Sequence, residues 1–184
     1  VQGNIGDCPI DDWRHVIAVN LCGAVYGCHF CRDWLLAAPA GAHVINVASA
    51  APFINSPGMG PYSVSKAGVI SLSETLYAEQ HRHGLGVSVV CPGFFPTQVI
   101  ERAHFQDEQK RALAERLMHD SPITAQDVAR AAIRAMQRKE FYVVLPWRVR
   151  IFWSLRRLFP QTTLRLGAWV AAKGEKVLDK HGLP

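Results

Sequence analysis

The sequence predicts an α/β fold, a doubly wound parallel sheet with helices on both faces, on three grounds. Short, mostly apolar runs at His43 to Ala48, Val87 to Cys91 and Phe141 to Leu145 are separated by longer stretches with helical spacing. Those runs lack the in-and-out alternation of a strand with one wet face, so each reads as buried on both sides, the habit of parallel sheets. Each is also bounded by Gly or Pro, which ends regular structure. The chain has 184 residues, 49% of them hydrophobic and 19% charged. That balance suffices to bury a core and excludes disordered and fibrous classes.

In chain order, Pro9-Ile-Asp-Asp-Trp13 reads as a helix start with Asp11 as N-cap, and apolar residues recur to about Leu36, before Pro39 and Gly41. The strand from His43 to Ala48 follows, then a loop rich in Pro and Gly from Pro52 to Pro61. Tyr62 to about His81 forms the next helix, with Pro61 near its first turn, where a missing N–H costs nothing. Gly84 and Gly86 stop it. Val87 to Cys91 is a buried strand ended by Pro92-Gly93. Gln106 to Met118 is a helix, and Thr124 with Asp127 has the spacing of a capping box for another helix reaching about Arg138. Phe141 to Leu145 is the last strand, closed by Pro146. Strands separated by helices of this length indicate βαβ units, whose ligands bind at the carboxyl ends of the strands. Ser49 and Pro92-Gly93 follow two such ends directly.

No internal repeat, low-complexity stretch or linker interrupts the chain, so one domain is expected, with residues 1–146 as its body and 147–184 as a basic, amphipathic helical extension. The net charge of +5 is uneven. Residues 1–146 carry twelve Lys and Arg against thirteen Asp and Glu, whereas 147–184 carry eight against two. Basicity confined to one tail argues against nucleic-acid binding, which needs cations across a folded face. It leaves peripheral contact with an anionic membrane open to the tail alone, where the alternative is a helical lid over a substrate pocket. Arg156, Arg157 and Arg165 interrupt the segment too often for it to span a bilayer.

Five Cys at irregular spacing suggest no disulfide framework, and with no secretory leader visible the expected setting is reducing and cytoplasmic. Cys28-His-Phe-Cys31 has the spacing of a metal knuckle, but no second ligand pair follows at zinc spacing, so these thiols read as packing residues and no metal is expected.

The residues that carry chemistry are Tyr62 and Lys66, four apart at a helix start and thirteen residues after Ser49. That separation puts phenol and ammonium on one helical face. A nearby cation favours phenolate, so Lys66 is expected to lower the Tyr62 pKa toward working pH and equip the phenol for proton transfer. Ser49 can aim its hydroxyl at the same substrate oxygen.

With these residues in place, the sequence closely resembles the short-chain dehydrogenase/reductase family. The matching stretches are Val19-Asn-Leu-Cys-Gly23, Val44-Ile-Asn-Val-Ala-Ser49, Tyr62-Ser-Val-Ser-Lys-Ala-Gly68 and Val90-Cys-Pro-Gly-Phe-Phe-Pro-Thr97, in the family's order. The resemblance covers about residues 1–146 and implies the C-terminal catalytic portion of a Rossmann-like domain. The family's Gly-rich cofactor turn and its Asn-Asn-Ala-Gly segment have no counterpart here, so the fold is expected to be truncated at its N-terminal side. It implies that Tyr62 is the acid/base, that Ser49 polarises the substrate, and that Lys66 also holds the nicotinamide ribose. Asn20 matches the family's proton-relay asparagine, and Pro92, Gly93, Phe95 and Thr97 match the loop at the nicotinamide end of the cofactor. The implied function is oxidation or reduction between a secondary alcohol and a ketone with NAD or NADP, on a hydrophobic substrate, in a homodimer or homotetramer. The alternative is a non-catalytic, dehydrogenase-like scaffold or interaction protein.

Overall fold

A computed structural model describes residues 3–38, 41–97 and 108–180. Three strands, β1 (His43–Val47), β2 (Gly86–Pro92) and β3 (Tyr142–Leu145), pair in parallel in that order. The first helix, α1 (Ile10–Ile17), runs through one π-helical turn at Ala18–Cys22 into α2 (Gly23–Ala37). A short α3 (Ala51–Ile54) and the long α4 (Gly60–Gln80) join β1 to β2, while α5 (Glu108–His119) and α6 (Ala125–Arg138) precede β3. The chain then forms α7 (Trp147–Leu158) and α8 (Pro160–Lys180).

Central position explains why β2 is the most apolar strand. It is hydrogen-bonded on both edges and covered on both faces, and Val87 through Pro92 are buried without a break. Fully burying a side chain such as Val89 or Val90 stabilises the fold by about 1.5–3 kcal/mol. Successive residues point to opposite sides. Val89, Cys91 and Val144 enter one core with Ala48, Phe53 and Val69, against which Leu21, Val149, Phe152 and Trp153 pack. Val90 and Val143 enter a second core with Val128 and Ala135 of α6. Helices therefore cover both faces, as expected of a doubly wound sheet. β1 has one neighbour among the described residues and is only half-buried, with Val47 exposed.

Two local expectations change. Asp11 is not the N-cap: α1 begins at Ile10, the Pro9 carbonyl accepts from Trp13 N–H at 3.2 Å, and Asp11 lies within the first turn, paired with Arg14 at 3.0 Å. Proline's fixed φ makes Pro9 the natural entry residue, and the carboxylates still suit the positive end of the helix dipole. The loop from Pro52 to Pro61 contains α3, because a proline in a helix's first turn sacrifices no hydrogen bond. The Thr124 and Asp127 capping box forms in full. The start of the helix expected from Gln106 lies outside the described residues.

Candidate active site

Ser49 is fixed at the carboxyl end of β1 by its own backbone surroundings. On either side of it, Ala48 N–H donates to Val90 O and Ala50 N–H donates to Pro92 O, both at 2.8 Å, so the ladder with β2 continues past the strand. The Ser49 hydroxyl accepts from Ala51 N–H at 3.1 Å at the head of α3, leaving the side chain 8% exposed. That hydroxyl also lies beside the Tyr62 phenol, close enough to influence its proton.

Tyr62 stands in the first turn of α4, where Gly60 and Pro61 open the helix. Gly60 is closely packed: a Cβ there would lie 3.2 Å from Ile5 and 3.3 Å from Trp13, so those side chains would have to shift by a few tenths of an ångström. Burial pushes the Tyr62 phenol above its ordinary pKa, and the neighbouring Ser49 hydroxyl opposes that rise without cancelling it. The expectation that Lys66 lowers the Tyr62 pKa is therefore corrected. The Lys66 ammonium donates to Val47 O at 3.0 Å and lies 6.0 Å from the centre of the Tyr62 ring, too engaged elsewhere to outweigh desolvation of the phenol. Burial also lowers the Lys66 pKa, against the opposing influence of the Cys91 thiol.

Asn20 lies within the π-helical turn, and its amide donates to Ser65 Oγ at 3.2 Å. Ser65 in turn donates to the Tyr62 carbonyl at 2.8 Å. Asn20 thus braces the turn that carries Tyr62. Ser65, fully buried, is the residue that motif reasoning passed over, and its signal was the three-residue spacing after Tyr62 on one helical face. A π turn inserts one residue into a helix and often marks a functional position. Here its Leu21 packs so tightly against α4 that a Cβ on Gly68 would come within 2.8 Å of it.

The loop after β2 divides. Pro92 is buried at the strand end, and Gly93 N–H donates to Leu145 O at 2.7 Å. A Cβ on Gly93 would meet Pro146 and Val149 at 3.2 Å, so glycine lets α7 start close to the strand ends. Phe95 packs instead into the core under α6 with Val128 and Ala131, on the other face of the sheet from Val89 and Cys91. Thr97 is half-buried beyond it. The structure thus brings Ser49, Tyr62 and Lys66 together near the carboxyl end of β1, while Asn20 reaches them only through Ser65 on α4. Among the described residues no group of three or more His, Cys, Asp or Glu could hold a metal ion.

A parallel sheet wound on both faces by helices defines the class of Rossmann-like α/β folds. The chain belongs to the short chain dehydrogenase family, whose model matches residues 1–109. It is 36% identical over 135 residues to the 3beta-hydroxysteroid dehydrogenase 1 of Eggerthella lenta, a match covering 73% of this chain and 51% of that protein. It is 28% identical over 167 residues to the probable oxidoreductase EphD of Mycobacterium tuberculosis, covering 86% of this chain and 28% of that one. Among solved structures, a short chain dehydrogenase/reductase from Burkholderia phymatum in complex with NAD superimposes with a TM-score of 0.77 at 27% identity, over 85% of this chain and 61% of that chain. A short chain dehydrogenase from Burkholderia cenocepacia in complex with NADP shares the fold at 19% identity and a TM-score of 0.70, over 88% of this chain and 61% of that chain. This chain therefore spans roughly a quarter to three fifths of the length of these relatives.

Proposed function

We propose that this chain carries the proton-transfer centre of an NAD- or NADP-dependent oxidoreductase that interconverts a secondary alcohol and a ketone, with Tyr62 as the acid/base. The observation that supports it best is the placing of the Ser49 hydroxyl beside the Tyr62 phenol, with the Lys66 ammonium one turn further along α4 and anchored on Val47 O at the end of β1. The donor set suits a nicotinamide nucleotide: the half-buried Lys66 ammonium and the Tyr62 phenol are of the kind that hold ribose hydroxyls, and the Pro92 to Thr97 loop lies at the end of the neighbouring strand. When bound, that group supplies or takes up the hydride.

The chain's own residues handle the proton. Because burial holds the Tyr62 pKa above its ordinary 10.0, the phenol is protonated at neutral pH and is built to give its proton to a ketone oxygen. Ser49 donates to the same oxygen and offsets the charge that develops there. In the reverse direction Tyr62 must first lose its proton before it can accept one from an alcohol. Lys66, anchored on Val47 O, places a positive charge beside the developing phenolate. Asn20 acts as a positioning residue through Ser65.

A hydrophobic substrate fits the family relation to an enzyme named for a steroid alcohol, and a homodimer or homotetramer is the assembly that family membership supports. The test is nicotinamide absorbance with a panel of hydrophobic ketones. Tyr62→Phe is expected to cut turnover by about 10²–10⁴-fold, the range for a lost general acid. Turnover unchanged in that variant would overturn the mechanism, and cofactor binding without turnover in the parent chain would favour a non-catalytic scaffold.

A further inference from the structure

The helix α7 is apolar on two faces, and the fold uses only one. Val149, Phe152 and Trp153 point inward and pack against the core beside Phe53. Trp147, Ile151, Leu155 and Leu158 form a second stripe at helical spacing that faces away, with Trp147 66% and Leu158 71% exposed. Along this stripe runs a groove of about 400 Å³, also lined by Arg150 and Ser154. α8 also exposes apolar side chains, with Leu166, Trp169 and Val170 on one face, Trp169 by 55%.

The charge on this surface is mostly of one sign: over α7 and α8, residues 147–180, eight Lys and Arg stand against Glu175 and Asp179, which lie near the end of α8. Residues 147–173 hold six Lys and Arg and no Asp or Glu. Arg157 is spent on the fold, stacked over Tyr142 and Trp153 at 5.7 and 5.0 Å. Arg148 lies over Trp147 at 5.6 Å and Lys173 over Trp169 at 4.0 Å, so indole and cation share the exposed face. Such pairs suit a boundary where apolar rings meet anionic headgroups.

We propose that α7 and α8 form a peripheral docking surface for anionic lipid bilayers, lying in the plane of the headgroups. An anionic bilayer satisfies both halves of this surface, apolar area and positive charge. A second copy of the chain suits it less, because self-docking sets one predominantly cationic face against another. No helix among the described residues is long and apolar enough to cross a membrane, which agrees with docking in the interface. The inner side of α7 touches Phe53 of α3, the helix that follows Ser49, so docking brings the strand end carrying Ser49 toward the lipid. The proposal stands apart from the reading of Tyr62 and does not require activity.

The experiment is co-sedimentation of the full chain with vesicles of phosphatidylcholine alone and of phosphatidylcholine mixed with phosphatidylglycerol, alongside tryptophan fluorescence. Binding to the anionic vesicles alone, weakened by salt and accompanied by a blue shift, is expected. The exposed pair of changes Arg150→Glu and Arg165→Glu is expected to weaken binding roughly ten-fold or more, since each cation near an anionic surface adds about a tenfold step or somewhat less. Ile151→Ser with Leu155→Ser tests the apolar half, and circular dichroism checks that both variants keep the parent's helix content. Absence of vesicle binding, equal binding to neutral and anionic vesicles, binding that survives the charge reversal, or a concentration-dependent dimer lost in the serine variant without vesicle binding each overturns the proposal.

Discussion

At the residue scale, the proposed alcohol–ketone chemistry turns on how two opposing influences set the Tyr62 proton. Burial raises the phenol's pKa, and the Ser49 hydroxyl beside it pulls the other way. Loss of that hydroxyl in Ser49→Ala therefore leaves burial unopposed, and the Tyr62 pKa rises further. Ketone reduction, which needs the protonated phenol, is expected to hold through neutral pH and decline only at alkaline pH. Alcohol oxidation needs phenolate and rises with pH over the same range. In Ser49→Ala the alkaline limb of both profiles is expected to move to higher pH, apart from any general fall in rate caused by the lost donor. A pH profile of kcat in each direction reads this directly. A limb that stays in place, or moves to lower pH, would show that Ser49 does not set the Tyr62 proton.

At the scale of elements, the capping box and one close glycine make separable claims on stability. Thr124 accepts from Asp127 N–H at 3.3 Å while the Asp127 carboxylate accepts from Thr124 N–H at 2.9 Å, so Thr124→Ala is expected to cost about 1 kcal/mol in denaturant unfolding. Because α6 lies under the sheet, away from Tyr62, turnover at low temperature should not change. Gly86→Ala is a harsher test. Its Cβ would fall 2.1 Å from His43 Nδ1, and His43 cannot swing aside freely because Nε2 is held by Ser88 Oγ at 2.8 Å, itself bonded to Glu140 O at 2.6 Å. Overpacking of this kind costs about 1–3 kcal/mol, and a loss below that range would mean that the ring relocates easily. These details mark the limit of what the sequence tells. Strands and long helices were legible because periodicity and Gly or Pro boundaries are local signals, whereas Ser49, Tyr62 and Lys66 stood out only through the linked family-like stretches around them, since a Tyr and a Lys four apart are a weak signal by themselves. The π turn at Ala18–Cys22 was not legible, since its residues suit an ordinary helix and the extra residue coincides with contacts made at a distance, Leu21 on Gly68 and Asn20 on Ser65. The direction of the Tyr62 shift was hidden for the same reason: spacing places Lys66 on the right face, while tertiary burial and the pull of Val47 O decide the outcome.

At the scale of the whole molecule, the core that joins the sheet to α4 and α7 sets an alkaline limit on stability. Burial pushes the Cys91 thiol from 9.0 up to about 12, with Glu74 adding to the rise and Lys66 opposing it. Tyr142, desolvated and donating a hydrogen bond to Glu74, is pushed from 10.0 to about 12, and Tyr62 is raised as well. Each is an acid whose neutral form the folded chain prefers. Between pH 9 and 12 the unfolded chain therefore releases protons that the folded chain still holds, and stability falls as pH rises through that window. Lys66 works in the opposite sense. Its folded pKa lies below 10.5, so below that value the unfolded chain binds the extra proton and rising pH favours the fold. With Cys8, whose thiol is likewise pushed up by burial, four raised acids against one depressed base leave a net alkaline loss. Thermal midpoints measured from about pH 8 to about pH 11 are expected to decline, and Cys91→Ala, although less stable throughout for the space it leaves in a filled core, is expected to show a shallower decline at the onset. A flat profile in the parent, or an undiminished slope in Cys91→Ala, would mean that this core does not hold its protons against the solvent.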